Sequence, residues 1–153
     1  MFDKSFLQLK KNLKKDFSNF RKIKIGILGD NSTQFLNIAL KGLGYDYHLD
    51  LDIFEADYDQ IPLQVFDTFS DLYKFKPDII IIFKSSHKLL QKYNINSLEN
   101  HSSFAINQIE EIENIYTVIS KNIKSKIIFY NYNEINDAVF GNFSNKVQSS
   151  FLF

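Results

Sequence analysis

The chain has no cysteine and no tryptophan among its 153 residues. The first absence excludes disulfides and thiolate-held metals. The second leaves the core to phenylalanine and isoleucine, and Phe alone occurs 16 times. Long apolar runs are missing too: none approaches the roughly 20 residues that span a bilayer. The N-terminus lacks the apolar stretch and small-residue cleavage site of a signal peptide. Neither charge is in excess, with 18 basic against 18 acidic residues, so nothing draws the chain generally to nucleic acid. Repeats and low-complexity segments are absent. The expectation is a soluble, cytoplasmic protein without a membrane partner, long enough to bury one core.

A local scarcity is hidden by the balanced total. From Gly42 to Tyr73 there is no Lys or Arg, while Asp46, Asp50, Asp52, Glu55, Asp57, Asp59, Asp67 and Asp71 are acidic. Residues 1–24 are the reverse, with Lys4, Lys10, Lys11, Lys14, Lys15, Arg21, Lys22 and Lys24 against Asp3 and Asp16. Two solvated surfaces account for this, and so would two segments that face each other or a partner module.

The chain's organising stretch is Ile23-Lys24-Ile25-Gly26-Ile27-Leu28-Gly29-Asp30-Asn31-Ser32-Thr33-Gln34. It alternates basic and apolar residues, then runs apolar into Gly29, which predicts a buried strand and a tight turn. Phe35, Leu36, Ala39, Leu40 and Leu43 follow at helical spacing, with Asp30, Asn31 and Ser32 as N-cap candidates. Lys41-Gly42-Leu43-Gly44 supplies a glycine C-cap. Before this unit, Phe2, Phe6, Leu9, Leu13, Phe17 and Phe20 form one stripe of an amphipathic helix over residues 1–20.

Further along, Tyr47 to Phe54 alternates as a strand with one wet face or a place nearer the sheet edge. An acidic loop (Glu55 to Gln60), a broken helical connection around Pro62 and a short helix at Asp71–Phe75 come next. Ile79 to Phe83 reads as a central strand covered on both faces. Ser85, Ser86 and His87 leave that strand at the end equivalent to Gly29. Ala105, Ile109, Ile112, Tyr116, Ile119 and Ile123 predict a long amphipathic helix, and Lys126 to Tyr130 a last strand leading to Asn131. Asn145 to Phe153 reads as the first turns of an unfinished helix. Alternating helices and strands predict an α/β fold, a small doubly wound parallel sheet with helices on both faces. In such sheets ligands bind at the carboxyl ends of the strands, which makes Gly29, Asp30, Asn31, Ser85, Ser86 and Asn131 the substrate-binding candidates.

Several stretches resemble the N-terminal domain of FkbH-like proteins of the HAD superfamily. They are Lys10-Lys11-Asn12-Leu13-Lys14-Lys15-Asp16-Phe17, Leu28-Gly29-Asp30 with Thr33-Gln34-Phe35-Leu36, Phe54-Glu55-Ala56-Asp57-Tyr58-Asp59-Gln60, Leu72-Tyr73-Lys74-Phe75-Lys76-Pro77-Asp78 and Asn136-Asp137-Ala138-Val139-Phe140-Gly141-Asn142. Gly29-Asp30 is also similar to the first block of the SGNH hydrolases. The resemblance implies an SGNH-like, flavodoxin-like α/β module over residues 21–153, incomplete at its C-terminus, in front of a HAD catalytic domain that this chain does not contain. It implies a place in polyketide or surface-polysaccharide biosynthesis, where relatives dephosphorylate an activated glyceryl group and pass it to an acyl carrier protein through a cysteine. The implied partners are a HAD-type domain, in cis or in trans, and an acyl carrier protein. No cofactor or metal is expected here; Mg²⁺ would belong to the HAD domain.

Three functions follow as expectations. The first is a module, non-catalytic alone, that docks to the HAD domain or positions its substrate. The second is an SGNH-type esterase or acyltransferase using Ser32 with His87, with Asp30 and Asn31 as further catalytic candidates. Such chemistry needs a serine, a histidine base held by a carboxylate and oxyanion donors. Here Asn31 stands where the family has its serine, and the Asp-x-x-His block is missing. The third is a structural scaffold. An exposed cluster of Phe2, Phe6, Phe151 and Phe153 would make the chain self-associating.

Overall fold

In the computed structural model, residues 4–135, 141–147 and 150–151 are described. Phe2, Phe153 and the Asn136–Phe140 part of the family resemblance lie outside them. The chain divides into two compact units, Met1–Phe83 with Val118–Tyr130 and Lys84–Thr117 with Asn131–Phe153.

The first unit holds the sheet. Strands β1 (Arg21–Gly29), β2 (Leu49–Glu55), β3 (Ile79–Phe83) and β4 (Lys126–Phe129) are all parallel, in the order β2-β1-β3-β4. This is the doubly wound α/β fold, with β2 at an edge and β3 inside, as the alternation of β2 and the apolar run of β3 require. One face of the sheet packs Ile25, Ile27 and Ile81 beneath Leu40 of helix α2 (Gln34–Asp46). The other face takes helix α4 (Asp71–Phe75). The close approach there needs Gly26, where a β-carbon would lie 2.9 Å from Leu72 Cδ1. Helix α3 (Ile61–Phe66) is tied to α4 by Gln64, which accepts from Ser70 Oγ (2.7 Å, backbone carbonyl) and from Leu72 N (3.1 Å, side chain).

Two helix boundaries differ from the reading of the sequence. Helix α1 spans only Phe6–Asn12, closed by a Ser5–Gln8 capping box at its start. Its end is fixed because Asp16 Oδ1 takes the Ser18 amide (2.9 Å) in a turn, while Phe17 and Phe20 pack on the Tyr45 ring. Helix α2 runs through Gly42 and Gly44 instead of stopping at them. Gly42 is where α1 crosses: a β-carbon would meet the Leu9 carbonyl oxygen and lie 2.7 Å from its carbon. Buried Asn12 then donates to Gly42 O (2.9 Å) and Asp46 Oδ1 (3.1 Å).

The second unit contains α5 (Ser86–Ile95) and most of helix α6 (Phe104–Asn122), whose end runs into the first. The α6 helix forms as expected, but its buried residues are Phe104, Gln108, Ile115 and Ile119, while Ala105, Ile109 and Tyr116 are exposed. The stripe is displaced because polar side chains share it. Lys92 Nζ donates to Gln108 Oε1 (3.4 Å), and Glu111 is paired with Lys84 (2.6 Å) and Lys92 (2.9 Å). Tyr93 packs His101, Phe104 and Phe151 around its ring. Asn145 belongs to a 3-10 turn, Gly141–Lys146, not to an opening α-helix. No helix among the described residues is long and apolar enough to cross a membrane.

Candidate active edge of the sheet

Because the strands are parallel, Gly29, Phe83 and Phe129 end at one edge of the sheet. There the Asp30 amide donates to Phe83 O (3.2 Å) and the Asp59 amide to Gly29 O (3.2 Å). Gly29 is needed for contact: a β-carbon would sit 2.7 Å from Thr33 Cγ2. Asp30 is 5% exposed and Asn31 half-buried.

A carboxylate organises the turn. Glu55 is the last residue of β2, beside Ile27 in register. Its Oε1 accepts from buried Thr33 Oγ1 (2.6 Å) and its Oε2 from Asn37 Nδ2 (2.8 Å). Short bonds to an ionised group are the strong kind, so Glu55 clamps the first turn of α2 against the strand. Thr33, not Asp30, Asn31 or Ser32, is the N-cap residue. Its hydroxyl is spent on Glu55, so α2 has no side-chain cap. The Asn31 and Asn37 Oδ1 atoms are buried and accept no hydrogen bond among the described residues. Those two acceptors, with the uncapped amides of α2, leave polar valence around the turn for a polar ligand.

Residues 24–153 match the family described as FkbH, N-terminal domain. The chain belongs to that family. No curated protein matches this FkbH N-terminal domain. A similar solved structure is the N-terminal part of the protein BF1531 from Bacteroides fragilis, containing a phosphatase domain and complexed with Mg. The two are 36% identical with a TM-score of 0.87, over 97% of this chain and 38% of that one. The FkbH N-terminal domain therefore spans well under half the length of that relative.

In this FkbH N-terminal domain the candidates fall into two groups. Gly29, Asp30 and Asn31 form the turn with Thr33, Asn37 and Glu55, all in the first unit. Ser32 is exposed on the turn, and its hydroxyl makes no hydrogen bond among the described residues. Ser85, Ser86, His87 and Asn131 belong to the second unit. There Ser85 is the N-cap of α5, and Ser86 is buried with its hydroxyl donating to Asn133 O (2.6 Å). His87 and Asn131 are exposed. No group of three or more His, Asp or Glu among the described residues is placed to hold a metal ion. Glu55, Thr33 and Asn37 are the residues that sequence reasoning missed.

Proposed function

We propose that this FkbH N-terminal domain is non-catalytic alone and docks to a phosphatase-type HAD domain, positioning that domain's substrate at the Gly29–Asn31 turn. The observation that supports this reading most is the relative. The same fold, over nearly all of this chain, recurs within the N-terminal part of BF1531, which contains a phosphatase domain. The turn itself agrees. Its carboxylate is engaged by Thr33 and Asn37, and Ser32 has no side-chain base bonded to it among the described residues. A nucleophilic serine requires such a base. The phosphatase-type partner would hold any Mg²⁺, and an acyl carrier protein of a polyketide or surface-polysaccharide route would receive the product.

The test has two arms. The purified chain is assayed on a short acyl ester, and it is titrated calorimetrically with the phosphatase-type domain of its relative. Binding without ester turnover is the expected result. Turnover that disappears in Ser32→Ala and His87→Ala would replace the reading with the esterase. Absence of binding would leave a scaffold.

A further inference from the structure

Toward the amino ends of β1 and β2, away from the Gly29 edge, the first unit holds an open cavity of about 480 Å³. Its apolar wall is Leu13, Phe17 and Leu51, all half-buried. Four charged side chains complete it: Lys22 of β1, Lys41 of α2, and Asp50 and Asp52 of β2. Lys22 stands opposite Asp50 on the neighbouring strand. Yet none of the four side chains makes an ion pair or hydrogen bond among the described residues. The basic start of the chain and the acidic stretch from Gly42 to Tyr73 thus meet at this cavity without neutralising one another.

We propose that this cavity binds a zwitterion with an apolar body, the chemistry of a free amino acid or a short peptide. The apolar side chain lies against Leu13, Phe17 and Leu51. The carboxylate faces Lys22 and Lys41, and the ammonium group faces Asp50 and Asp52. The volume falls within the roughly 300–1,000 Å³ usual for small-molecule sites. A ligand of one charge fits worse. An anion drawn by the lysines would meet two carboxylates, and a cation drawn by the carboxylates would meet two ammonium groups. A metal ion has too few ligands, since no group of three or more His, Asp or Glu among the described residues is placed to hold one. A zwitterion gives every charge an opposite partner through charge-assisted hydrogen bonds. Ligands of parallel sheets sit at the carboxyl ends of the strands, so this is a second site. It does not rest on the docking reading.

NMR titration of the isotope-labelled chain with L-phenylalanine, and separately with phenylalanyl-leucine, tests this. Saturable amide shifts centred on Leu13, Lys41 and Asp50 to Asp52 are expected, with a Kd of about 1 mM or tighter for at least one of the two. The tighter of them says whether an amino acid or a peptide is the source of the zwitterion. Phenylpropionate and phenethylamine, which carry one charge each, should bind about fivefold more weakly or worse, and so should either zwitterion to Lys41→Gln or Asp52→Asn. Both substitutions remove charges that have no partner among the described residues, so the melting temperature should hold and a loss of binding is not a loss of fold. No saturable shift with either zwitterion up to about 20 mM overturns the proposal. So does equal binding of the singly charged compounds, or of both variants, which would leave an apolar groove indifferent to charge.

Discussion

Removing the Glu55 carboxylate in two ways separates its charge from its hydrogen bonds. Glu55→Ala strands two donors at once, the Thr33 hydroxyl and the Asn37 amide, in a part of the turn that is largely closed to water. An unsatisfied buried donor costs about 1–3 kcal/mol; with Thr33 buried and Asn37 only half-buried, the pair should cost about 2–4 kcal/mol. For a chain of this length that is a drop of about 5–12 °C in melting temperature. Glu55→Gln behaves differently. Its carbonyl oxygen still accepts from Thr33, and its amide meets Asn37, whose own Oδ1 is buried without a donor. If Asn37 turns its amide over, both bonds survive and only the charge assistance is lost, about 1 kcal/mol or less. Calorimetric melts of the two variants, with the Gly29, Asp30 and Thr33 amide resonances as local reporters, decide the matter. Equal stability of the Ala and Gln variants would refute the clamp.

Three other perturbations have a definite sign. Gly42→Ala would ordinarily stabilise a helix interior by up to about 1 kcal/mol. Here the methyl group strikes the Leu9 backbone and lifts Asn12 from its two acceptors, so a net loss of about 1.5–3 kcal/mol is expected in urea titration. The Glu111 carboxyl is pushed up by burial, but Lys84 and Lys92 outweigh this and hold it below the usual value of 4.5. Its folded-state pKa being depressed, its stabilisation is present above that value and is lost as pH falls below it. Glu111→Gln should therefore flatten the acid limb of a stability–pH profile. Gly29→Ala, with its methyl 2.7 Å from Thr33 Cγ2, should loosen the α2 start and show as faster amide exchange at Thr33 and Asn37.

The strands were legible because alternation and apolar runs report burial directly, and β1 and β3 lie where their patterns place them. Strand β2 starts at Leu49, two residues after its alternation begins, because Tyr47 caps α2 and His48 turns the chain with a φ of 57°. Helix ends were less so. Gly42 and Gly44 look like a terminator, yet each admits a neighbouring backbone, Leu9 in one case and Leu49 in the other. Hydropathy cannot foresee such a contact, which depends on a second element's path. In α6 the inward side includes Gln108 and Glu111, polar residues that become favourable there only because Lys92 and Lys84 meet them. At the candidate edge, the Gly29–Asn31 turn was readable from an apolar run ending in glycine. Glu55 was not, since one carboxylate ahead of Asp57 and Asp59 looks like the beginning of an acidic loop. Only the pairing of Ile27 with Glu55 brings it beside Thr33.

The position of β2 at the sheet margin has a consequence for aggregation. Its outer row of backbone donors and acceptors is a template onto which another strand could be added. In a growing in-register stack, every added β2 would bring Asp50 and Asp52 against the same residues of the strand before it. Each layer would then stack like charges one strand spacing apart, and fibril growth from this margin would be self-limiting. Replacing exposed Asp52 with valine removes half of that gate and joins Leu51, Ile53 and Phe54 into one continuous apolar run. That single change should turn a sheet that stops at four strands into one that seeds amyloid-like extension.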